Sequence, residues 1–234
     1  MQDVVYGLRY NIENDEIKAM SIMKQHSARL FLGLFLTMFF SSASFSADSA
    51  ASVSQASIAS IQHGRLETAF GTMFDVYEAG AKAADTAVLV VPGRWGVNAD
   101  VKRWLISFSA MGYRTLALDL LDGRAVRDAE MAEDVWQAID SVWIEADLQA
   151  AINYLRGQQR SVVVMAWDES VSHAMQLLQK NADVAVALVV ADQSGVDAAD
   201  LAVPMLEISG KGVRAGQYSD AALDAVKSFL ETQF

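Results

Sequence analysis

The chain has 234 residues, 53% of them hydrophobic, with 29 acidic against 18 basic side chains and a formal net charge of −11. That composition belongs to a globular chain with a sizeable core, and its acidity argues against a nucleic-acid binder, which needs a basic patch to neutralise phosphate. The absence of cysteine excludes disulfides, thiolate metal sites and a cysteine nucleophile.

Residues 30–40 (LFLGLFLTMFF) form an apolar run too short to cross a bilayer, which takes about 20 residues. Lys24 and Arg29 precede it and small residues follow it, the pattern of an export signal. Ser41 with Ala43, or Ser44 with Ser46, supply the small residues wanted at the cleavage site. The expected organisation is therefore 1–22 as upstream sequence before a true start at Met23, 23–47 as signal, and 48–57 as a flexible lead-in. Residues 58–234 then form a single domain. The expected destination is the periplasm or the medium, with no stable membrane insertion once the signal is cut.

Within that domain, short strands are expected at 58–62 and 73–78, and a doubly buried strand at 86–91 (TAVLVV). Asn98 can cap the next helix, which carries Val101, Trp104, Leu105 and Phe108 on one face. Strand 114–119 follows, then helices near 129–139 and 141–156, strand 161–167 and a helix at 169–180. Strands 184–191 and 204–209 and a helix at 219–233 complete the chain. Alternating strands and helices, with strands buried on both faces, predict an α/β fold of three layers with a mainly parallel sheet. Ligands of such sheets bind beyond the carboxyl ends of the strands. That rule selects Gly93, Arg94, Trp95, Asp119, Trp167, Asp168, Glu169 and Asp192 as candidate site residues.

Three of these points together resemble the dienelactone hydrolase family of α/β-hydrolases. Val90-Val91-Pro92-Gly93-Arg94-Trp95-Gly96-Val97-Asn98 is similar to the family's first loop, a strand followed by His-Glu-x-x-Gly-x-Asn. Gly112-Tyr113-Arg114-Thr115-Leu116-Ala117-Leu118-Asp119-Leu120 resembles its Gly-Tyr…Pro-Asp-Leu segment. Ala166-Trp167-Asp168-Glu169-Ser170 stands where the family carries Gly-x-Cys-x-Gly. The resemblance implies an α/β-hydrolase-like fold acting on ester or lactone bonds. It makes Asp168 the residue at the nucleophile position, at the tip of a strained strand-to-helix turn. Ala166 and Ser170 are small enough for that turn.

The usual nucleophile and the histidine are both missing. A carboxylate can act as a nucleophile, but the covalent intermediate needs a base to direct water. No histidine follows His173, so the family's position for it is empty. His173 has the spacing of a solvated helix face, and His63 reads as a turn residue beside Gly64. Asp192 ends a strand where some α/β-hydrolases place their acid, and is a candidate for that role. No cofactor is expected. Asp128, Glu130, Glu133 and Asp134 read as a water-exposed acidic face, not a metal site. Two readings follow: an exported hydrolase-fold protein with lost or much reduced catalysis, or a non-catalytic protein binding a small molecule or an envelope partner on the same scaffold.

Overall fold

A computed structural model describes residues 7–13, 16–21, 61–158, 161–181, 183–193, 196–197, 201–210 and 213–234. Two strands come first, β1 (Gly7–Glu13) and β2 (Glu16–Ser21), followed by β3 (Gln62–Glu67), β4 (Met73–Ala79) and β5 (Thr86–Val91). Helix α1 (Ala99–Ala110) leads to β6 (Arg114–Leu118), then α2 (Ala129–Gln137) and α3 (Ser141–Arg156). Strand β7 (Ser161–Trp167), helix α4 (Ser170–Lys180), strands β8 (Ala187–Ala191) and β9 (Met205–Gly210) and helix α5 (Asp220–Leu230) follow.

The strands form one sheet in the order β2-β1-β9-β8-β7-β5-β6-β4-β3. Pairing is parallel from β1 through β9, β8, β7 and β5 to β6, and antiparallel for β2, β4 and β3. The expected α/β class with a mainly parallel sheet is what forms. The chain runs from β5 outward to β6, then returns to lay β7 on the other side of β5. The crevice at that reversal is where open α/β sheets hold ligands.

Side-chain alternation builds the two outer layers. In β5, Val88 and Val90 face one side with Trp104, Phe108 and Phe229 of α1 and α5. Ala87, Leu89 and Val91 face the other, with Leu148, Ile152 and Leu155 of α3 and Val171 and Leu178 of α4. A period of two on a strand buried on both faces gives this split. Asn98 caps α1 as expected, accepting from the N–H groups of Asp100 and Val101. Trp104 is fully buried; its ring stands 5.6 Å from Phe108, 5.9 Å from Trp167 and 5.2 Å from Tyr218.

Element positions differ from the sequence reading at both sheet edges, and β8 starts at Ala187 and not at 184. The first strand of the expected domain is Gln62–Glu67, not 58–62. A turn fixes it: Thr68 N–H donates to Thr72 O at 2.9 Å and Gly71 N–H to Thr68 O at 3.0 Å, so Glu67 pairs with Met73. Gly71 supplies the left-handed φ of +78° that the turn requires. The second difference is at the opposite sheet edge. The sequence reading set residues 1–22 outside the domain, whereas Gly7–Ile12 pair in parallel with Met205–Gly210 and β2 folds back on β1. A parallel edge strand offers an unpaired row of N–H and C=O groups, and β1 pairs with it. The expected signal and lead-in lie outside the described residues. No helix among the described residues is long and apolar enough to cross a membrane.

Candidate functional site

The crevice lies where β5 and β7 end. After Trp167 the chain reverses at Asp168, whose φ is +49°, a left-handed conformation that Asp and Asn tolerate better than most residues. Helix α4 then starts at Ser170. Ser170 is fully buried. Its Oγ lies 2.8 Å from Val91 O and 2.7 Å from Trp167 O, and accepts the Trp167 N–H at 3.2 Å. The small hydroxyl residue thus ties the turn to the ends of β5 and β7. Gly93 lies against the tip: a Cβ there would stand 2.8 Å from Asp168 Cβ and Oδ2 and 2.9 Å from Trp167 O. The turn expected from Ala166 and Ser170 therefore forms, with Asp168 at its tip.

Asp192 follows β8 in the same way, with φ +59°, and its N–H donates to Ile208 O at 3.1 Å. Asp168 N–H donates to Ala191 O at 3.3 Å, which sets the two aspartates side by side. The Asp192 carboxyl is among the groups that act on Asp168. Burial is the first cause that lifts Asp168, followed by the negative charges of Asp192 and Glu169; Arg94 opposes them, and the result is a pKa of about 7. Asp168 Oδ2 is buried without a hydrogen-bond partner. The folded chain holds the Asp168 proton more tightly than the unfolded chain. Its contribution to stability is full below pH ~4 and is lost as pH rises through about 7.

Arg94 joins the turn to α2. Its Nη1 lies 2.8 Å from Glu169 Oε1 and 2.7 Å from Glu133 Oε2, and its guanidinium stands 5.7 Å from the centre of the Trp95 ring. Trp95 packs on Leu121, Val126 and Ala132. Glu133 was not singled out from the sequence as a site residue. It sits in an acidic helix face, and nothing in its spacing distinguishes the one carboxylate that meets Arg94.

Three expectations are corrected here. Asp119 is not part of the crevice. It ends β6, on the far side of β5 from β7, and its carboxylate accepts the N–H groups of Gly123 at 2.8 Å and Leu121 at 3.3 Å. It lines a separate cavity of about 390 Å³ beside β6 and β4. Trp167 is fully buried against Trp104, because it continues the Val163–Met165 face of β7 inward, and so offers no ligand surface. His173 is half-buried, not solvated. Its ring lies 6.4 Å from that of Trp136 on α2, its Nδ1 is buried without a hydrogen-bond partner, and burial lowers its pKa against the opposing charge of Glu145.

His63, expected in a turn, lies within β3. It pairs with Asp75 at 3.4 Å and its ring lies 5.2 Å from that of Tyr77. The groups that act on Asp168 are Asp192, Glu169 and Arg94; neither histidine is among them. Gly93, Arg94, Asp168, Glu169 and Asp192 are thus brought together, with Trp95 beside Arg94. Chemically the cluster is a pair of neighbouring carboxyls beside one guanidinium held between two glutamates. Among the described residues no group of His, Cys, Asp and Glu has the arrangement of a metal site.

The model of the dienelactone hydrolase family matches residues 74–190, half of the chain, a span that holds the loop after β5 and the turn at Asp168 and stops short of Asp192. Among solved structures, the chain is similar to a protein from Klebsiella pneumoniae subsp. pneumoniae MGH 78578 whose name assigns it to dienelactone hydrolase. The TM-score is 0.56 at 15% identity, covering 74% of this chain and 98% of that one. It is also similar to the dienelactone hydrolase-like promiscuous phosphotriesterase P91 from metagenomic libraries, with TM-score 0.50 at 17% identity over 74% and 78% of the two chains. At these identities the structural likeness speaks for the fold alone. No match was found among curated proteins.

Proposed function

The chain belongs to the dienelactone hydrolase family, and we propose that it keeps the family's scaffold as an exported protein whose ester-hydrolysing chemistry is lost or much reduced. The observation that carries this reading is the Asp168–Asp192 pair. Burial and the negative charges of Asp192 and Glu169 raise the carboxyl at the nucleophile position to a pKa of about 7, and no imidazole of the described residues is among the groups acting on it. A protonated carboxyl is a poor nucleophile. An acyl or alkyl intermediate formed on it would also lack the base that aims water at it. The complementary reading, a small-molecule binder on the hydrolase scaffold, is supported by the cavity lined by Asp119.

The test is turnover of activated short-chain esters by the native protein and by Asp168→Ala. Rates equal within about twofold are expected. Removing a catalytic-triad member leaves a residual acceleration of roughly 10³–10⁴ over water, so slow hydrolysis common to both proteins is compatible with this reading. A tenfold or larger fall in the variant would overturn it.

Export rests on the 30–40 apolar run with Lys24 and Arg29 before it. N-terminal sequencing of the protein recovered from the cell envelope or medium is expected to find a start near residue 47. A chain that retains 7–21, and with them β1 and β2, would contradict export by this signal.

A further inference from the structure

We infer that the cavity beside β6 and β4 is a binding site for a small organic amine, an ammonium carried on an aromatic or alkyl body. It is separate from the Asp168 crevice and independent of whether ester chemistry survives there. Three segments wall it: the start of β4, the loop after β6, and the turn from the end of α2 into α3. Its volume of about 390 Å³ falls among small-molecule sites, roughly 300–1,000 Å³.

Two independent features set the ligand's chemistry. The first is apolar. Six large hydrophobic side chains stand exposed among the described residues, and four of them gather here: Met73 and Trp143 line this cavity, and Phe70 and Val142 line its neighbour. Phe70 and Trp143 meet edge-on at 5.9 Å, so the two hollows share an aromatic rim. Scattered exposed apolar residues are ordinary, but a cluster at a hollow marks a binding surface.

The second is charge. The lining carries Asp119, Asp122 and Asp147 against the single guanidinium of Arg124. Asp119 is satisfied by the N–H groups of Leu121 and Gly123. Arg124 donates from Nε to Leu121 O and lies 3.9 Å from Asp122. Asp147 faces the hollow from α3, and burial, with the charge of Asp122 added, raises its pKa to about 6. A cation placed against Asp147 offsets both causes with an opposite charge, and the Trp143 ring can hold the same charge on its face. An anion or a neutral acid gains neither.

The test uses phenethylamine and its neutral counterpart 2-phenylethanol, titrated calorimetrically into the full chain at pH 7.5. The amine is expected to bind at least tenfold more tightly than the alcohol, the scale of a hydrogen bond to a charged group, about 1.5–3 kcal/mol. Asp147→Asn should remove that preference while leaving alcohol binding within about twofold. Trp143→Ala, at an exposed position, should weaken both ligands and serves as the second variant if Asp147→Asn does not fold. Equal affinities for amine and alcohol, amine binding unchanged in Asp147→Asn, or no binding of either ligand at millimolar concentration would each overturn the inference.

Discussion

Replacing Arg114 with alanine is expected to lower the free energy of unfolding by about 3–5 kcal/mol, the cost of breaking a buried ion pair from one side. Arg114 is fully buried at the start of β6. Its Nε donates to Glu78 Oε1 at 2.6 Å, Nη1 to Gln158 Oε1 at 2.7 Å and Nη2 to the Tyr154 hydroxyl at 2.7 Å, with the Tyr154 ring 4.9 Å from the guanidinium. The side chain therefore clamps the end of α3 and the end of β4 to the sheet, at the opposite pole from the crevice. Alanine strands the Glu78 carboxylate, 13% exposed, beside a new cavity. Arg114→Met with Glu78→Gln removes both charges and should cost less than Arg114→Ala alone. Urea unfolding of the native protein and the two variants checks the order. A loss under about 1 kcal/mol for Arg114→Ala would show that the clamp does not hold the fold.

Gly93→Ala is the second large effect, a loss of about 2–3 kcal/mol from overpacking. The new methyl group would stand 2.8 Å from both Cβ and Oδ2 of Asp168 and 2.9 Å from Trp167 O. Two of those three contacts belong to one side chain. Asp168→Gly keeps the left-handed turn and removes them, so Gly93→Ala should cost less in that background, with a coupling of at least about 1 kcal/mol. Trp167 O remains, so the rescue is partial. Additive costs would mean that the loop after β5 and the turn after β7 are not in contact. The catalytic scaffold would then be less intact than the family membership implies.

How much of this was readable in the chain differs by residue. The runs TAVLVV and SVVVMAW become β5 and β7 at the expected bounds, because a strand buried on both faces leaves an uninterrupted apolar run. The turn at Asp168 was legible because tight geometry restricts Ala166 and Ser170 to small side chains. The first strand was not, since its position depends on hydrogen bonds between Thr68 and Thr72 that no periodicity encodes. Asp119 and Asp168 look alike in sequence, each a carboxylate ending a parallel strand. Only the order of strands in the sheet separates them. Arg114 reads as a polar strand start, because three of its partners come from positions 78, 154 and 158. The N-terminal strands carry no such signature, and they pair with the edge that β9 presents.

The pH profile of ester hydrolysis tests the role of Asp168 most directly. The native protein and Asp168→Asn are compared from pH 5 to pH 9 with one activated short-chain ester. Asparagine tolerates the left-handed φ and matches the size of the aspartate, but can neither ionise nor attack. If Asp168 were a working nucleophile, the native rate would rise with the ionised fraction, with an inflection near pH 7, and the variant would lose both the rise and the rate. The aspartate pair without an imidazole predicts superimposable profiles with no inflection near 7. An inflection there that Asp168→Asn abolishes would contradict it and assign Asp168 a catalytic role.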